Sequence, residues 1–415
     1  VYTMAVGNYD TIMFNVVGPV FEGTGKLNPF AVEEIRQAMN LLIDRDYIVQ
    51  EIVGGLGINK TVPMNSMFPD YARYADVAKE LEAQYAYDPE KAVEIIAAEM
   101  EALGAEMVDG KWQYEGEPVE LIFIIRTEDE RLDIGDYVSN LLEEIGFTVN
   151  RQYKTSPEAS AIWNQTDPND GLWHVYTAGW ISQQISRDLG WVFDFYNADR
   201  VLPWIRRSYH DTGNPEYDAA AERLQHNDFG SMEERAELFD AALRGHMQYA
   251  SEVMLFDAAS FTPRRKEVEV TADLAAAVAG ADLWPYTIRR TGEVGGAMTI
   301  AMPSILTEPW NPIAGTNWVY DQSLMSASGD YAALYDPYTG LRRAQRLDSA
   351  DVYLREGIPA TKTLDWVNLE FVEGNPVPDD AWVDWDAENQ VFLTAGEVYT
   401  CLLYTSDAAD DLVSV

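Results

Sequence analysis

The side chains best suited to chemistry crowd into one short stretch, GWISQQISRDLGW, from Gly179 to Trp191. Trp180 and Trp191 offer flat apolar faces, Gln183 an amide and Asp188 a carboxylate. With Tyr176 just upstream, this set suits noncovalent capture of a small molecule in a cleft. Bond-breaking machinery is not evident. No GxSxG, P-loop or dinucleotide GxGxxG stands where a strand passes into a helix. His174, His210, His226 and His246 show no HExxH or other paired-ligand spacing, so no metal site is expected. Cys401 is the only cysteine, which removes disulfides, thiolate metal sites and a Cys nucleophile from the body of the chain. Asp384, Asp386 and Glu388 alternate as in a calcium loop but lack its Gly and distal Glu, and we read them as a turn or solvated strand edge. No cofactor is expected.

Further candidates surround this stretch. Trp163, Trp173, Tyr176, Trp191, Phe193, Phe195, Tyr196 and Trp204 fall within some forty residues. Core packing is the better reading for most of them. Trp173 and Tyr176 are read on opposite faces of one strand, so at most one would face a shared cleft. Arg206 and Arg207, with Tyr209, could grip a carboxylate, although in so acidic a chain a counter-ion role is favoured. Trp310, Asn311 and Trp318 sit in a Pro/Gly-rich loop and are read as surface residues.

The composition narrows the classes. The chain has 415 residues, enough for two or three domains, with 47% hydrophobic and 12% aromatic residues, as a globular protein should. Acidic residues outnumber basic ones 69 to 29, a net charge of −40. That disfavours nucleic acid and anionic lipid, both of which demand a basic surface. No apolar run approaches the roughly 20 residues of a membrane span.

The elements that must position the candidates are legible in places. Val32, Ile35, Met39, Leu42 and Ile43 recur at helical spacing, with Glu33, Glu34, Arg36, Gln37 and Asn40 on the other face. Asp44 can cap a second short helix, which Gly54 and Gly55 would stop. Residues 57–87 read as a long loop. Asp88, Pro89 and Gly104 punctuate a helix between them. VELIFIIRT (119–127) is an apolar run such as a strand buried on both faces requires. A helix follows, ended by Gly146, and then a strand at 147–153; this order predicts a right-handed parallel crossover. A helix at about 157–166 leads to a strand at 173–180. Helices at about 214–226 and 231–249 follow, the second opened by a Ser231/Glu234 capping box, and then a strand at 253–258. By residue pattern, 1–30 are irregular.

The ordered set FN…NPF…IRQAMN…IDRDYIV, YDPEKAVEII, LLEEIGFTVN, WHVYTAGW and YDAAAERL resembles the extracytoplasmic solute-binding proteins of family 5, which serve peptide- and nickel-type ABC importers. Coverage runs from about residue 10 to 290. The resemblance implies an α/β fold of the type II periplasmic-binding-protein kind, two lobes with mixed sheets joined by crossing strands, the first lobe largely missing. It implies that 1–30 are a remnant of lobe I and the cross-over, 31–255 lobe II, and 256–294 return strands, with residues 1–15 themselves a strand. Residues 295–399 are expected to be a C-terminal extension, with GGAMTIAMPS opening as a strand. Residues 400–415 continue no pattern and are expected to be a non-native tail, and the protein's start is expected to precede Val1.

In peptide-binding members the loop after Gly-Trp carries an Asp that pairs with the ligand's amino terminus. The matching position here is Gln183, so the amine anchor is not reproduced, and Asp188 is the nearby carboxylate. The implied role is capture of a peptide-like or other small polar solute and delivery to ABC permease subunits, without catalysis, by a monomeric periplasmic or extracellular protein for which a lipid anchor is one means of retention. The competing reading is a secreted hydrolase of polysaccharide or peptide using paired carboxylates.

Overall fold

The computed structural model describes residues 3–66, 68–181, 190–195, 197, 212–272, 278, 281–302, 319–336, 339, 341–356, 360–373, 378–386 and 389–402. The chain divides into two compact units, Val1–Arg343 and Ala344–Val415.

The first unit is organised on a six-stranded mixed sheet. Its strands are β1 (Thr3–Phe14), β2 (Gly57–Asn59), β3 (Glu120–Arg126), β4 (Thr148–Lys154), β5 (Val175–Ile181) and β6 (Glu252–Phe261), in the order β2-β6-β1-β5-β3-β4. β3 runs parallel to both β4 and β5. β1 is antiparallel to β5 and β6, and β2 to β6. The helices that matter are α1 (Glu33–Leu42), α2 (Ala75–Gln84), α3 (Pro89–Ala102), α4 (Arg131–Glu144), α5 (Ser156–Trp163), α6 (Pro215–Gln225) and α7 (Met232–Tyr249).

Alternation along β3 distributes its side chains to two cores, because successive residues of a strand point to opposite faces. Leu121, Phe123 and Ile125 join Ile35 and Met39 of α1, Ile96 of α3, and Ile134 and Val138 of α4. Ile124 points the other way, to Ala159 and Trp163 of α5 and to Trp173 and Tyr176. The expectation of a strand buried on both faces therefore holds. A third core lies among α2, α6 and α7.

Local punctuation behaves as its chemistry requires. Asp88 caps α3 by accepting from the Lys91 N–H, with Pro89 in the first turn. Ser231 caps α7 by accepting from the Glu234 N–H at 3.1 Å. The expected box is only half made: the Glu234 carboxylate turns to the Gly230 N–H and to Arg223.

Four expectations fail for reasons of tertiary contact. Residues 3–14, irregular by pattern, form a strand, as the resemblance implied for 1–15. Residues 57–87 hold helices at Pro69–Arg73 and Ala75–Gln84. Their own apolar stripe is short, but Tyr74 stacks on Phe239 of α7 at 4.1 Å and the buried Asp70 carboxylate pairs with Arg235 at 2.8 Å. Arg36 and Asn40, placed on the polar face of α1, are buried. The Arg36 guanidinium donates to the carbonyls of Tyr249 and Phe30, and Asn40 accepts from Arg45, so that face is covered by polar partners instead of water. Beyond Phe261, the described residues up to 290 hold the two-residue pair Val268–Glu269 and Arg289–Arg290 and a short helix, Trp284–Thr287.

The second unit contains a parallel pair, Ala350–Arg355 with Val367–Val372, and an antiparallel hairpin, Trp382–Asp386 with Val391–Thr394. In the hairpin turn Asp386 accepts from the backbone and side-chain N–H groups of Asn389, in keeping with the turn reading. A helix, Ala395–Leu402, carries three residues past the point where the pattern was expected to stop. Residues 297–302 of the first unit, expected as a strand, hold no regular structure.

Candidate functional site

The path of the chain through the parallel strands creates a topological switch point, the place where α/β sheets open a crevice. From β3 the chain passes through α4 to β4 on one flank, then returns through α5 to β5 on the other. α4 and α5 cover opposite faces of the sheet. The order therefore reverses between β3 and β5, and α/β sheets bind ligands outside the carboxyl ends of strands at such a point. Those ends are Arg126 and Ile181, with the N-terminus of α4 beside them.

Of the sequence candidates, Trp180 and Trp191 meet here. Both are half-buried, and their ring centroids lie 5.4 Å apart at 52°. Tyr176 does not join them: it is 3% exposed and stacks on Trp163 at 5.2 Å. Trp173 precedes the strand instead of lying on it, so alternation does not separate it from Tyr176, and both pack in one cluster. Phe193 is core as well, edge-on to Phe239. Gln183, Asp188, Tyr196, Trp204, Arg206, Arg207, Tyr209, Trp310, Asn311 and Trp318 lie outside the described residues.

The sequence reading missed a strongly perturbed group at this end of the sheet, Asp10. It sits on β1 directly opposite Gly179 of β5. Its Oδ2 is buried and accepts no hydrogen bond among the described residues. Burial pushes its carboxyl up to about 7 against the counter-pull of Arg131, with the like charges of Glu130 and Asp129 adding to the rise. The signal available was NYDTIMF, a carboxylate in an otherwise apolar strand.

Around Asp10 the charges are arranged in pairs. Burial opposes the charge of Arg131, but its hydrogen bond to Asp129 and the nearby carboxylates outweigh this and hold it firmly cationic. Arg131 Nε donates to Asp129 Oδ1 at 2.8 Å, and Nη2 reaches the other oxygen of the same carboxylate. Burial works against the Asp129 anion, yet these bonds keep its carboxyl below the usual range. Arg126 pairs with Glu128 at 2.7 Å. Arg131 Nη1 instead faces Gly179: a Cβ placed there would lie 3.1 Å from it and 2.7 Å from Asp10 Oδ1.

On the other face of the sheet, Trp180 belongs to a row that crosses four strands. Trp180 lies opposite Tyr9, Tyr9 opposite Asp257, and Asp257 opposite Ile58. Asp257 forms a fully buried ion pair with Lys60 at 3.0 Å and accepts from Ser66 N and Oγ. The Lys60 ammonium lies 4.7 Å from the Tyr9 ring centroid. Next to this row, β1 and β6 slip register between Ala5 and Tyr9, a bulge in the strand.

The described histidines are structural where they are buried. His174 accepts from Ile122 N at Nδ1 (3.0 Å) and faces the Leu27 carbonyl through Nε2 at 3.3 Å, which fixes the neutral Nε2–H tautomer. Burial lowers it to about 4, and burial likewise lowers His246 to about 4. Among the described residues no cluster of three or more His, Cys, Asp or Glu is placed to hold a metal ion.

This frame has counterparts among known proteins. Residues 1–199 match the model of the bacterial extracellular solute-binding proteins, family 5 middle segment. No curated protein sequence matches significantly. Among solved structures, the oligopeptide-binding protein AppA of Bacillus subtilis, determined with a nonapeptide, is similar at a TM-score of 0.52 and 17% identity, over 67% of this chain and 50% of its own. A periplasmic oligopeptide-binding protein of Thermotoga maritima, determined with mannohexaose, is similar at 0.54 and 17%, over 70% and 53%. The chain thus spans about half the length of these structures. They share with it the mixed α/β fold of type II periplasmic binding proteins. Residues 1–199, on which the strand ends are built, are thus similar to the bacterial extracellular solute-binding proteins of family 5.

Proposed function

We propose that this protein is the substrate-binding component of an ABC importer. It captures a peptide-like or other small polar solute in a cleft between two lobes and delivers it to a membrane permease. The observation that carries this reading is the switch point at the carboxyl ends of β3 and β5, where a tryptophan pair lies on one face of the sheet and a buried carboxyl with an unused oxygen on the other. A closed enzyme core would bury such groups against partners; here they lie at the strand ends, where solutes bind.

The similar structures support the ligand class. A nonapeptide and mannohexaose are both extended, polar and repetitive, and both are compatible with flat aromatic walls and scattered hydrogen-bonding groups. Capture works through an open–closed equilibrium: a solute that touches both lobes stabilises the closed state by its differential affinity, and that state docks on the permease. The protein is read as non-catalytic, monomeric, and periplasmic or extracellular, with a lipid anchor as one means of retention. Among the described residues no helix is long and apolar enough to cross a membrane.

The test is NMR of the chain titrated with oligopeptides of two to nine residues and with manno-oligosaccharides at millimolar concentration. Shifts confined to the Trp180 and Trp191 indoles and the Asp10–Arg131 neighbourhood, with every solute recovered intact, are expected. Absence of shifts with every solute, or release of hydrolysis products, would overturn the proposal.

A further inference from the structure

We infer that Asn197 and Tyr217 are positioning residues for the tryptophan pair: a one-way chain of buried hydrogen bonds holds the turn behind Trp191, and with it the spacing of the two indoles that a solute meets. What this means for the solute rests on the reading of Trp180 and Trp191 as a solute wall.

Trp191 opens a turn that bridges two cores. Its ring packs with that of Trp180 against the cluster on the sheet, whereas the next two residues, Val192 and Phe193, are buried in the helical core of α2, α6 and α7. The turn is a four-residue helix, Val192–Phe195, in which the Asp194 N–H donates to the Trp191 carbonyl at 3.3 Å. So short a helix cannot satisfy its own last carbonyls, and a buried carbonyl left unpaired is costly. Tyr217 of α6 meets that need, its hydroxyl donating to the Phe193 carbonyl at 2.6 Å. Asn197 closes the turn, its N–H donating to the Asp194 carbonyl at 3.2 Å. The Asn197 side chain donates through Nδ2 to the Tyr217 hydroxyl at 2.9 Å and accepts at Oδ1 from Ser251 Oγ at 2.8 Å. The Ser251 carbonyl in turn accepts from the N–H of Phe14, at the end of β1. Asn197, Tyr217 and Ser251 are all buried.

The chain of bonds has a fixed direction. A carbonyl can only accept, so the single hydroxyl proton of Tyr217 goes to Phe193. The group that faces the hydroxyl oxygen from Asn197 must then be a donor, which turns its Oδ1 to Ser251. Asparagine meets both demands at once. An ionised aspartate of the same shape would compete for the Tyr217 proton and leave the Phe193 carbonyl unpaired. No neighbouring cation would compensate. His246, whose Nδ1 lies 3.5 Å from both Asn197 Nδ2 and the Tyr217 hydroxyl, is kept neutral by burial, which lowers it to about 4. Asp194 and Asp218, the carboxyls near Tyr217, add like charge. The place of Trp191 is thus set by α6 and by the residue that enters β6, neither of which touches the indoles' open faces. Two indoles 5.4 Å apart and tilted by 52° couple as excitons, so their geometry can be read directly.

The experiment follows the indole pair of the whole chain by far-ultraviolet circular dichroism, the exciton couplet being assigned by its loss in Trp191→Phe. Calorimetry with mannohexaose and with N-acetyl-pentaalanine amide gives the affinities. Tyr217→Phe keeps the ring and removes the hydroxyl; it should diminish the couplet and weaken the tighter-binding probe about fivefold, the worth of one hydrogen bond. Asn197→Asp should do the same near about pH 8 and regain the parent's couplet near about pH 5, where a buried carboxyl recovers a proton it can donate to Tyr217. Because Asn197→Asp is compared with the parent at each of two pH values, it carries the test even where Tyr217→Phe does not fold. A merely structural role would lower the unfolding midpoint of the variants and leave the couplet of the folded protein as in the parent at both pH values. That result, or unchanged affinity for a probe that the parent binds, would overturn the proposal. If neither probe binds the parent while the couplet behaves as expected, the solute-binding reading fails and the positioning stands.

Discussion

Asp10→Asn is the most informative single substitution. The side chain keeps its shape and loses its charge, so it isolates the cost of holding a carboxylate at that position. The carboxyl is raised from 3.8 to about 7 by the fold, a difference of some three units. At about 1.4 kcal/mol per unit this corresponds to roughly 4 kcal/mol, and partial solvent contact of the residue reduces it to about 2–4 kcal/mol. Because the folded-state pKa is the higher one, the native protein holds a proton that the unfolded chain has released between about pH 4 and 7. Stability therefore falls as pH rises through that interval, and the full penalty applies above about pH 7. The Asn variant escapes it. Urea unfolding should show parent and variant within about 1 kcal/mol of each other near pH 4, with the variant ahead by about 2–4 kcal/mol near pH 8. Carbon NMR of the Asp10 carboxyl should locate its midpoint near 7. A midpoint below about 5, or a variant equally destabilised at both pH values, would refute the argument that burial dominates at this site. A group so expensive at neutral pH is characteristic of binding sites, where local stability is exchanged for a ready-made polar contact.

Other perturbations test the frame around the crevice. His174 is neutral and buried with its folded-state value lowered to about 4, so stability should fall as pH drops from about 6.5 to 4, by about 3 kcal/mol for this residue. His174→Asn, measured against the parent, should be destabilising near pH 8 and lose most of that deficit near pH 4; a pH-independent difference would contradict the tautomer assignment. Lys60→Met leaves Asp257 charged and buried without its ion pair and should cost about 3–5 kcal/mol in denaturant unfolding. A loss below about 1 kcal/mol would show that the hydrogen bonds Asp257 accepts from Asn65 Nδ2 and from Ser66 suffice. Gly135→Ala in α4 puts a methyl 2.5 Å from Ile125 Cγ2, so the helix must shift off β3. A loss of about 1–3 kcal/mol in unfolding free energy is expected, and unchanged stability would mean the helix is free to move.

The elements that the sequence disclosed are those whose information is local. A helix announces itself through spacing and caps, as Asp88–Pro89 did for α3 and Ser231 for α7. β3 was recognisable because it is buried on both faces, so its run of apolar residues is nearly unbroken. The parallel connection from β3 to β4 followed from strand, helix and strand in succession. Trp180 and Trp191 were singled out because the end of a strand and the loop after it are where aromatic and polar residues can meet a ligand, and the fold brings the two rings together.

What the sequence withheld depends on partners remote along the chain. Nothing in residues 3–14 reveals that β1 is a central strand, since its neighbours, β5 and β6, lie more than 150 residues away. Tyr176 could not be told from a cleft residue until α5 closed over it with Trp163. Asp10 looked like one of 69 acidic residues. Only the pairing of β1 with β5 sets it opposite Gly179 and beside Arg131, and burial there, with the charges of Glu130 and Asp129, raises its affinity for a proton. Composition and periodicity are properties of a segment, and they determined which segments fold and into what. Desolvation and charge pairing are properties of a place, and the tertiary structure alone decided which carboxylate, glycine and arginine came to share one.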